Sequence, residues 1–555
     1  MTKRIQFSDT CRAGASAPLA TNRPQIVSRR QLVFATRRWP EGQRQGRSPA
    51  PLLIGLMLTT SALGQFGAPA GASGGAQANQ VPLSGRTGET GSVTATQSPI
   101  AGTTNSVNTI NPAIQTAGPY AGSASSASKP FSGKLSLRDA VARGLEYNLG
   151  SVGLSLAMRQ AHGQLAVVRS ALLPNLNGSL SETVQQTDLK ASGFRFSSPF
   201  PGFNIPSIVG PFNYFDLRAR LTQSVADLTA WNNYRSAKET LHADQFFAQD
   251  SKDMVVLAVG GAYLQVIAAR ARVASAQAQL DTANALYDQT AQQRGVGLLA
   301  QIDVNKSQVQ VLTQKQRLAS LQNDLAKQKI NLARLTGLPP NDRFDLTDDV
   351  PFADAPVVDQ EQAVMQALMQ RPDIKAADAQ IRAAERTLTA ARAERLPTLA
   401  VNADYGVIGT NPSESHGTFS FSGTLSFPIW RGGRTEGDIE QASAALAQRR
   451  AEMEDLRSRV ESEVRNAFLD LQAATSQVEV SRQNLDVTRD TLVLTRQRFD
   501  AGITDSVEVS QAQSSVASAE LDYINSVFAH NVAKLSLARA SGGSAESLPR
   551  YLKLQ

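Results

Sequence analysis

Apolar positions along this chain change period twice, and the whole sequence of changes then occurs a second time. From Leu135 to Leu173 the large apolar residues recur at helical spacing, at Leu137, Val141, Leu145 and Leu149. Leu173-Pro174 ends the run, because proline cannot continue the backbone ladder. The period then falls to two. Leu176, Gly178, Leu180 and Val184 alternate with polar neighbours, and Phe215, Leu217, Ala219 and Leu221 alternate with Asp216, Arg218, Arg220 and Thr222. That predicts two strands, each with one apolar and one polar face. Thr229 to Arg294 follows as one proline-free helix, ~100 Å long at about 1.5 Å per residue. Its seam is Val266, Val273, Leu280 and Tyr287, with small Ala269, Ala276, Ala283 and Thr290 beside it. After a glycine-containing turn, Val304, Val311, Leu318, Leu325 and Leu332 recur at sevens. Heptads on two antiparallel neighbours predict a coiled-coil hairpin.

The second pass runs from Glu361. A helix breaks at Arg371-Pro372-Asp373 and continues to Leu396-Pro397. Leu399, Val401, Ala403, Tyr405 and Val407 then alternate, followed by Phe419, Phe421, Gly423, Leu425 and Phe427 against Thr418, Ser420, Ser422, Thr424 and Ser426. A helix from about Thr435 to Phe499 carries the seam Leu471, Val478, Leu485, Leu492 and Phe499, and Asp505 to Ala540 returns. The two passes superpose at a spacing of 205 residues. Gly297 falls on Gly502, Asp303 on Glu508, Val304 on Val509, and Leu332-Ala333-Arg334 on Leu537-Ala538-Arg539. A repeat of this length means one architecture built twice.

The net charge of +7 is carried by the leader. Residues 1–50 hold ten Lys or Arg against Asp9 and Glu41, which is +8, so the other 505 residues sum to −1. The body has no basic footprint for nucleic acid. Residues 1–72 read as a leader with a secretory signal peptide whose apolar core spans about 51–63, followed by small-residue sites such as Ala68-Pro-Ala70. Residues 73–134, rich in Gly, Ser, Ala and Thr, bury too little apolar surface to offset chain entropy and are expected to be disordered. The first repeat is 135–340, an acidic connector 341–359, the second repeat 360–543, and a tail 544–555. Cys11, in the leader, is the only cysteine. No disulfide, thiolate metal cluster or acyl-anchored cysteine beyond the leader is expected. His162, His242, His416 and His530 form no close ligand pair, and His530 falls on a heptad position. No nucleophile motif or phosphate loop is present, so neither enzymatic activity nor a cofactor is expected.

Four strands of about ten residues match the span of a transmembrane barrel strand. Four cannot close a barrel, and an open edge facing lipid leaves backbone groups unpaired at several kcal/mol each. Other chains must therefore supply strands. The alternation places Asp216, Arg218 and Arg220 in a barrel lumen. At the turns, Gly297 and Gly502 supply the left-handed conformation of a helix end. Val296, Leu298 and Ile503 form apolar tips suited to a partner helix. Asp303 and Glu508 sit in the first turn of each return helix, where acids are favoured by about 0.3–1 kcal/mol.

This order of elements resembles the TolC family of outer-membrane efflux proteins over roughly residues 135–542. The matching features are Leu173-Pro174, Leu396-Pro397, Arg371-Pro372-Asp373, and the tips Val296-Gly297-Leu298 and Gly502-Ile503-Thr504. The resemblance implies a mainly α fold with a membrane β-barrel: a homotrimer whose twelve-stranded barrel continues into a long α-helical barrel across the periplasm of a Gram-negative bacterium. It implies passive export of small molecules through the outer membrane, with a periplasmic adaptor and an inner-membrane transporter as partners. It assigns Val296, Gly297, Leu298, Gly502, Ile503 and Thr504 to adaptor docking, and Asp303 and Glu508 to a carboxylate ring at the tunnel entrance. Alternatives are the outer-membrane duct of type I protein secretion, a periplasmic coiled-coil adaptor and a structural scaffold.

Overall fold

The computed structural model describes residues 92–100, 109–124, 131, 133–193, 206–341, 343–349, 352–354 and 359–543. The expectations for the leader and the C-terminal tail lie outside them. All the described residues belong to one compact unit. Its elements are β1 (Val93–Ile100), β2 (Thr109–Thr116), β3 (Gly133–Leu135), α1 (Leu137–Tyr147), α2 (Leu149–Ser170), β4 (Asn175–Asp188) and β5 (Ile208–Ala226). Then come α3 (Leu228–Gly295), α4 (Gln301–Thr336), β6 (Phe344–Leu346), α5 (Gln360–Gln370), α6 (Pro372–Ala393), β7 (Thr398–Gly409), β8 (His416–Ser426), α7 (Arg434–Asp500) and α8 (Ser506–Ala540). The duplicated unit is helix, helix, strand, strand, long helix, turn, helix.

Two expectations are corrected. The predicted helix from Leu135 to Leu173 is broken at Asn148, which lies in extended backbone. Its side chain accepts from Gly150 N at 2.9 Å to cap α2 and donates to Tyr120 O at 3.0 Å. A short amide that can hydrogen-bond the backbone favours a cap over a helix interior. The stretch expected to be disordered holds structure: β1 and β2 form an antiparallel hairpin, followed by a 3-10 turn at Gly118–Ala121. Its few apolar groups suffice because they land on glycines. A Cβ on Gly261 would lie 1.7 Å from Ile114 Cδ1, and one on Gly150 would lie 2.3 Å from Tyr120 Cδ1. Val93, Ala95, Ile114 and Tyr120 thereby join the core that α1, α3, α4 and α8 build around Leu135, Val256, Tyr263 and Leu335.

β4, β5, β7 and β8 make one antiparallel sheet in that order, with β4 and β8 at its edges. Register sorts the side chains, since directly opposed residues share a face. Leu180 faces Leu217 and Val407, Ala219 faces Tyr405 and Phe419, and Leu221 faces Ala403 and Phe421. The other face joins Ser179, Arg218 and Thr418 in one row and Asn177, Arg220, Asp404 and Ser420 in the next. The predicted two-faced strands are thus borne out. The apolar face is open: Leu176, Leu180, Tyr405, Phe419 and Phe421 are all at least 65 % exposed. It gives way near the strand-connecting loops, where Asn213 donates to Glu182 at 3.4 Å.

The helices form a layer below the sheet. Near the sheet the order is α2, α3, α6, α7. Ser236 of α3 donates to Ala383 O of α6 at 2.9 Å, and Arg450 of α7 pairs with Glu385 of α6 at 2.9 Å. Near the turns the order is α4, α3, α8, α7. Arg272 of α3 bonds Asn525 of α8 at 2.6 Å, and Arg489 of α7 pairs with Glu520 of α8 at 2.8 Å. Between these tiers lies a belt of α1, α5 and the parallel β3–β6 pair. The apolar middle of α3 is long enough to cross a bilayer by composition, but 72 % of that window is buried, which makes it core. Every tier ends on the same sides: β4, α2 and α4 on one, β8 and α7 on the other.

Candidate functional site

The two hairpin tips are built alike. α3 ends on a turn in which Leu298 N donates to Gln293 O at 2.8 Å and Gly297 N to Arg294 O at 2.9 Å. α7 repeats it, with Ile503 N on Arg498 O at 2.9 Å and Gly502 N on Phe499 O at 2.9 Å. Gly297 has φ 78° and Gly502 φ 69°, values an L side chain resists. The turns leave Val296, Leu298 and Ile503 at 73 %, 74 % and 68 % exposure. No core covers these side chains, so turn geometry accounts for the glycines but not for their apolar neighbours. The tips lie side by side. Leu286, Phe499 and Val509 pack together behind them, and Gln289 donates to Asp500 at 2.9 Å.

The return helices begin differently. Asp505 caps α8 by accepting from Val507 N and Glu508 N, each at 3.1 Å. α4 starts at Ala300 with no side-chain cap. Glu508 is bonded to Thr504 and paired with Arg498 at 3.1 Å, on the same hairpin. Sequence reasoning missed Arg498. Its signal was a cation ten residues before Glu508 across a turn whose centre was already known. Asp303 has a looser partner in Lys306 at 3.6 Å.

On the polar face of the sheet, Arg218 lies between two carboxylates, Asp216 at 3.2 Å and Asp404. It also donates to Thr418 at 3.3 Å, and Ser420 donates to Asp404. Gly406, directly opposite Arg218, makes the crossing possible, because a Cβ there would come within 3.0 Å of Arg218 Cβ. The clamp spans β5, β7 and β8 and so ties one repeat to the other. Asp216, Arg218 and Arg220 share a face as predicted. Asp404, not singled out in the sequence, is Arg220's cross-strand partner.

A buried charge network holds the belt. Arg371, at the break between α5 and α6, bonds Asp373 at 2.7 Å, Glu463 of α7 at 2.6 Å and Ala540 O of α8 at 3.4 Å. Burial works against the Arg371 charge, yet the two carboxylates more than restore it and push its pKa up. Burial alone would raise Asp373, but the Arg371 guanidinium holds it below the usual carboxylate range. Asp250 of α3 pairs with Arg539 of α8 at 2.5 Å. There burial dominates and raises Asp250 to about 6 despite the arginine. His530 is a buried seam residue against Phe352, ring centroids 4.8 Å apart; burial, with Lys534 nearby, lowers its pKa to about 4.

Comparison with known proteins matches this architecture. The outer membrane efflux protein family model covers residues 154–338 and 363–543. The pyoverdine export outer membrane protein OpmQ of Pseudomonas aeruginosa is 24 % identical over 415 residues, covering 72 % of this chain and 84 % of that protein. The outer membrane protein TolC of Escherichia coli is 24 % identical over 399 residues, 68 % of this chain and 78 % of that one. Among solved structures, the outer membrane protein VceC of Vibrio cholerae superposes with a TM-score of 0.62 at 18 % identity, over 74 % of this chain and 97 % of its own. The open-state MtrE outer membrane channel of Neisseria gonorrhoeae gives 0.61 at 17 %, over 74 % and 89 %.

Proposed function

The chain belongs to the family of outer membrane efflux proteins, and from that membership we propose that three copies close into one tube with the apolar sheet face toward lipid. It is an outer-membrane efflux channel with its helices in the periplasm. The observation that supports the trimer is that one copy is an open layer with the same two edges at every level. A sheet edge unpaired in lipid costs several kcal/mol per backbone group, so β8 of one copy pairs with β4 of the next. The helical edges agree. Val480, Val487 and Leu494 of α7 are uncovered at sevens, and Ile302 and Val309 of α4 likewise. Head-to-tail contacts between such edges close a ring by rotation. Three copies of four strands make twelve, an even number within the range of outer-membrane barrels.

The tube is the passive exit duct of a tripartite efflux system. Its tips, Val296-Gly297-Leu298 and Gly502-Ile503-Thr504, receive the helices of a periplasmic adaptor that links it to an inner-membrane transporter. The exposed apolar side chains support that docking. Substitution of Leu298 and Ile503 together by Asp leaves the folded trimer intact and abolishes its capture of the adaptor in a pull-down; retained capture removes the docking assignment.

Glu508 and Asp303 ring the entrance in this reading. The Arg498 pair alters what the ring does. Each Glu508 brings a cation on its own hairpin, so three copies make a charge-balanced collar instead of three crowded carboxylates. Planar-bilayer recording tests both the channel and the collar. The wild-type trimer is expected to conduct with weak ion preference, and Arg498→Ala to shift the reversal potential toward cations in a salt gradient. A trimer that opens no aqueous pore contradicts the function, and an unshifted Arg498→Ala potential contradicts the collar.

A further inference from the structure

The polar face of β5 changes character along the strand. Thr222, Arg220, Arg218 and Asp216 alternate onto it, and the same alternation then brings Tyr214 and Phe212. Past Phe212 the pairing with β4 shifts at a bulge, where Gly210 has φ 116°. The bulge lets Val209, opposite Thr187, continue the same line. These three apolar side chains stand above the four-stranded sheet. The last β5–β7 pair is Phe215 with Gly409, and β7–β8 pairing ends at Ile408 with His416. Ile208–Tyr214 therefore pairs with β4 alone. A two-stranded hairpin on its own is marginal in water and needs something to pack against. Val209 and Phe212 remain 37 % and 39 % exposed on the side where a water-filled mouth would lie.

We propose that the three β4–β5 hairpins lean inward and meet on the tube axis through Val209, Phe212 and Tyr214, so that contact between copies narrows the outer mouth. The proposal rests on the three-copy barrel above. The occupant of each apolar line is the same line of the other two copies. Lipid does not reach it, because these residues share the face of Arg218 and Arg220 and not that of Leu217. Reach favours the contact. Twelve strands about 4.8 Å apart and tilted about 40° close on a radius of ~12 Å. The projecting part of β5, residues 208–214, spans ~23 Å at about 3.3 Å per residue, which exceeds that radius. A bulge bends the strand that carries it, and the one at Gly210 lies inside the projecting part. On β4 the inward partners are Thr183, Gln185 and Thr187, so each hairpin brings one apolar line with a polar flank.

Single-cysteine chains test the contact. C11S/F212C and C11S/V209C place a thiol on the inward line, and C11S/N213C places one on the outward face at the same height. Each full chain is purified in detergent, and its copy number is measured before mild oxidation. Thiols across an open mouth ~24 Å wide cannot pair, because bonded Cα atoms lie within about 7 Å. Convergence predicts a disulfide-linked dimer from F212C and V209C and none from N213C. Three thiols on one axis form one pair, so the dimer stops at two chains in three. The oxidised F212C tube is expected to lose conductance in a planar bilayer and regain it with reductant. A trimer whose F212C and V209C thiols both stay free overturns the convergence and leaves the channel standing. N213C dimerising as readily places the contact between separate tubes and overturns it equally. A crosslinked mouth with unchanged conductance contradicts the narrowing. Protein that is monomeric before oxidation overturns the three-copy tube and the convergence together.

Discussion

Arg371→Ala is expected to cost about 3–5 kcal/mol, because it breaks a buried ion network from its centre. The Arg371 side chain is 3 % exposed and is the only donor that reaches α5–α6, α7 and α8 together among the bonds described above. Its removal leaves Asp373 buried beside Asp250, with only Arg539 left to face them both. The partners are unequal. Glu463 is 46 % exposed, so water replaces the arginine there at little cost, while Asp373 at 15 % has no such substitute. Glu463→Gln therefore changes stability by no more than about 1 kcal/mol. Arg371→Lys falls between, since an ammonium cannot reproduce the fork that reaches two carboxylates. Thermal unfolding of the detergent-solubilised protein, followed by helical circular dichroism, ranks the three. Arg371→Ala melting with the wild type would show that the network is dispensable.

Acid is expected to strengthen the belt through Asp250 before it weakens the protein elsewhere. Burial raises this carboxyl from 3.8 to about 6 in the folded protein. The folded state therefore holds a proton that the unfolded chain has released between about pH 4 and 6. Stability from this group falls as pH rises through that window and stays low above it, the reverse of an ordinary salt-bridged aspartate. A shift of this size corresponds to roughly 3 kcal/mol between the two limits. The groups facing Asp250 are Arg539 of α8, Asp373 and Arg371 at the α5–α6 break, and Asp253 and Tyr120 nearby. Asp250→Asn removes the titration. The difference between wild-type and Asp250→Asn unfolding midpoints should thus change between pH 4 and pH 7, in favour of the wild type at the acid end. A pH-independent difference would mean that the Arg539 pair keeps Asp250 charged throughout.

These sites differ in how far the sequence announced them. Strand faces were legible because register in an antiparallel sheet keeps alternation intact, so Leu217 and Arg218 could be assigned to opposite faces from spacing alone. The long helices were legible because small residues such as Ala276 and Ala283 repeat beside the seam for many turns. The break at Asn148 was not, since one amide carries it and its partner Tyr120 O lies 28 residues earlier. The β1–β2 hairpin was hidden for a related reason. Its composition is that of a linker, and its order comes from Ile114 and Tyr120 meeting Gly261 and Gly150, more than a hundred residues and thirty residues away. Among the site residues, the tip glycines declared themselves by the repeat. Arg498 and Asp404 did not, because a pair across a turn or a strand is visible only once the register is known.

The most direct test of tube closure is a disulfide across the seam between copies. Val309 stands ~12 Å above the start of α4 and Leu494 ~9 Å above the end of α7, at about 1.5 Å rise per residue, so the two uncovered heptads interleave when α7 of one copy meets α4 of the next. Within one copy α3 and α8 separate them. Cys11 is the only native cysteine, so a C11S/V309C/L494C chain reports the seam without background. Mild oxidation is predicted to yield a covalent trimer on a denaturing gel, with linear dimer and trimer on the way. A product that stays monomeric, or one that extends past three copies, would contradict the closed three-copy tube.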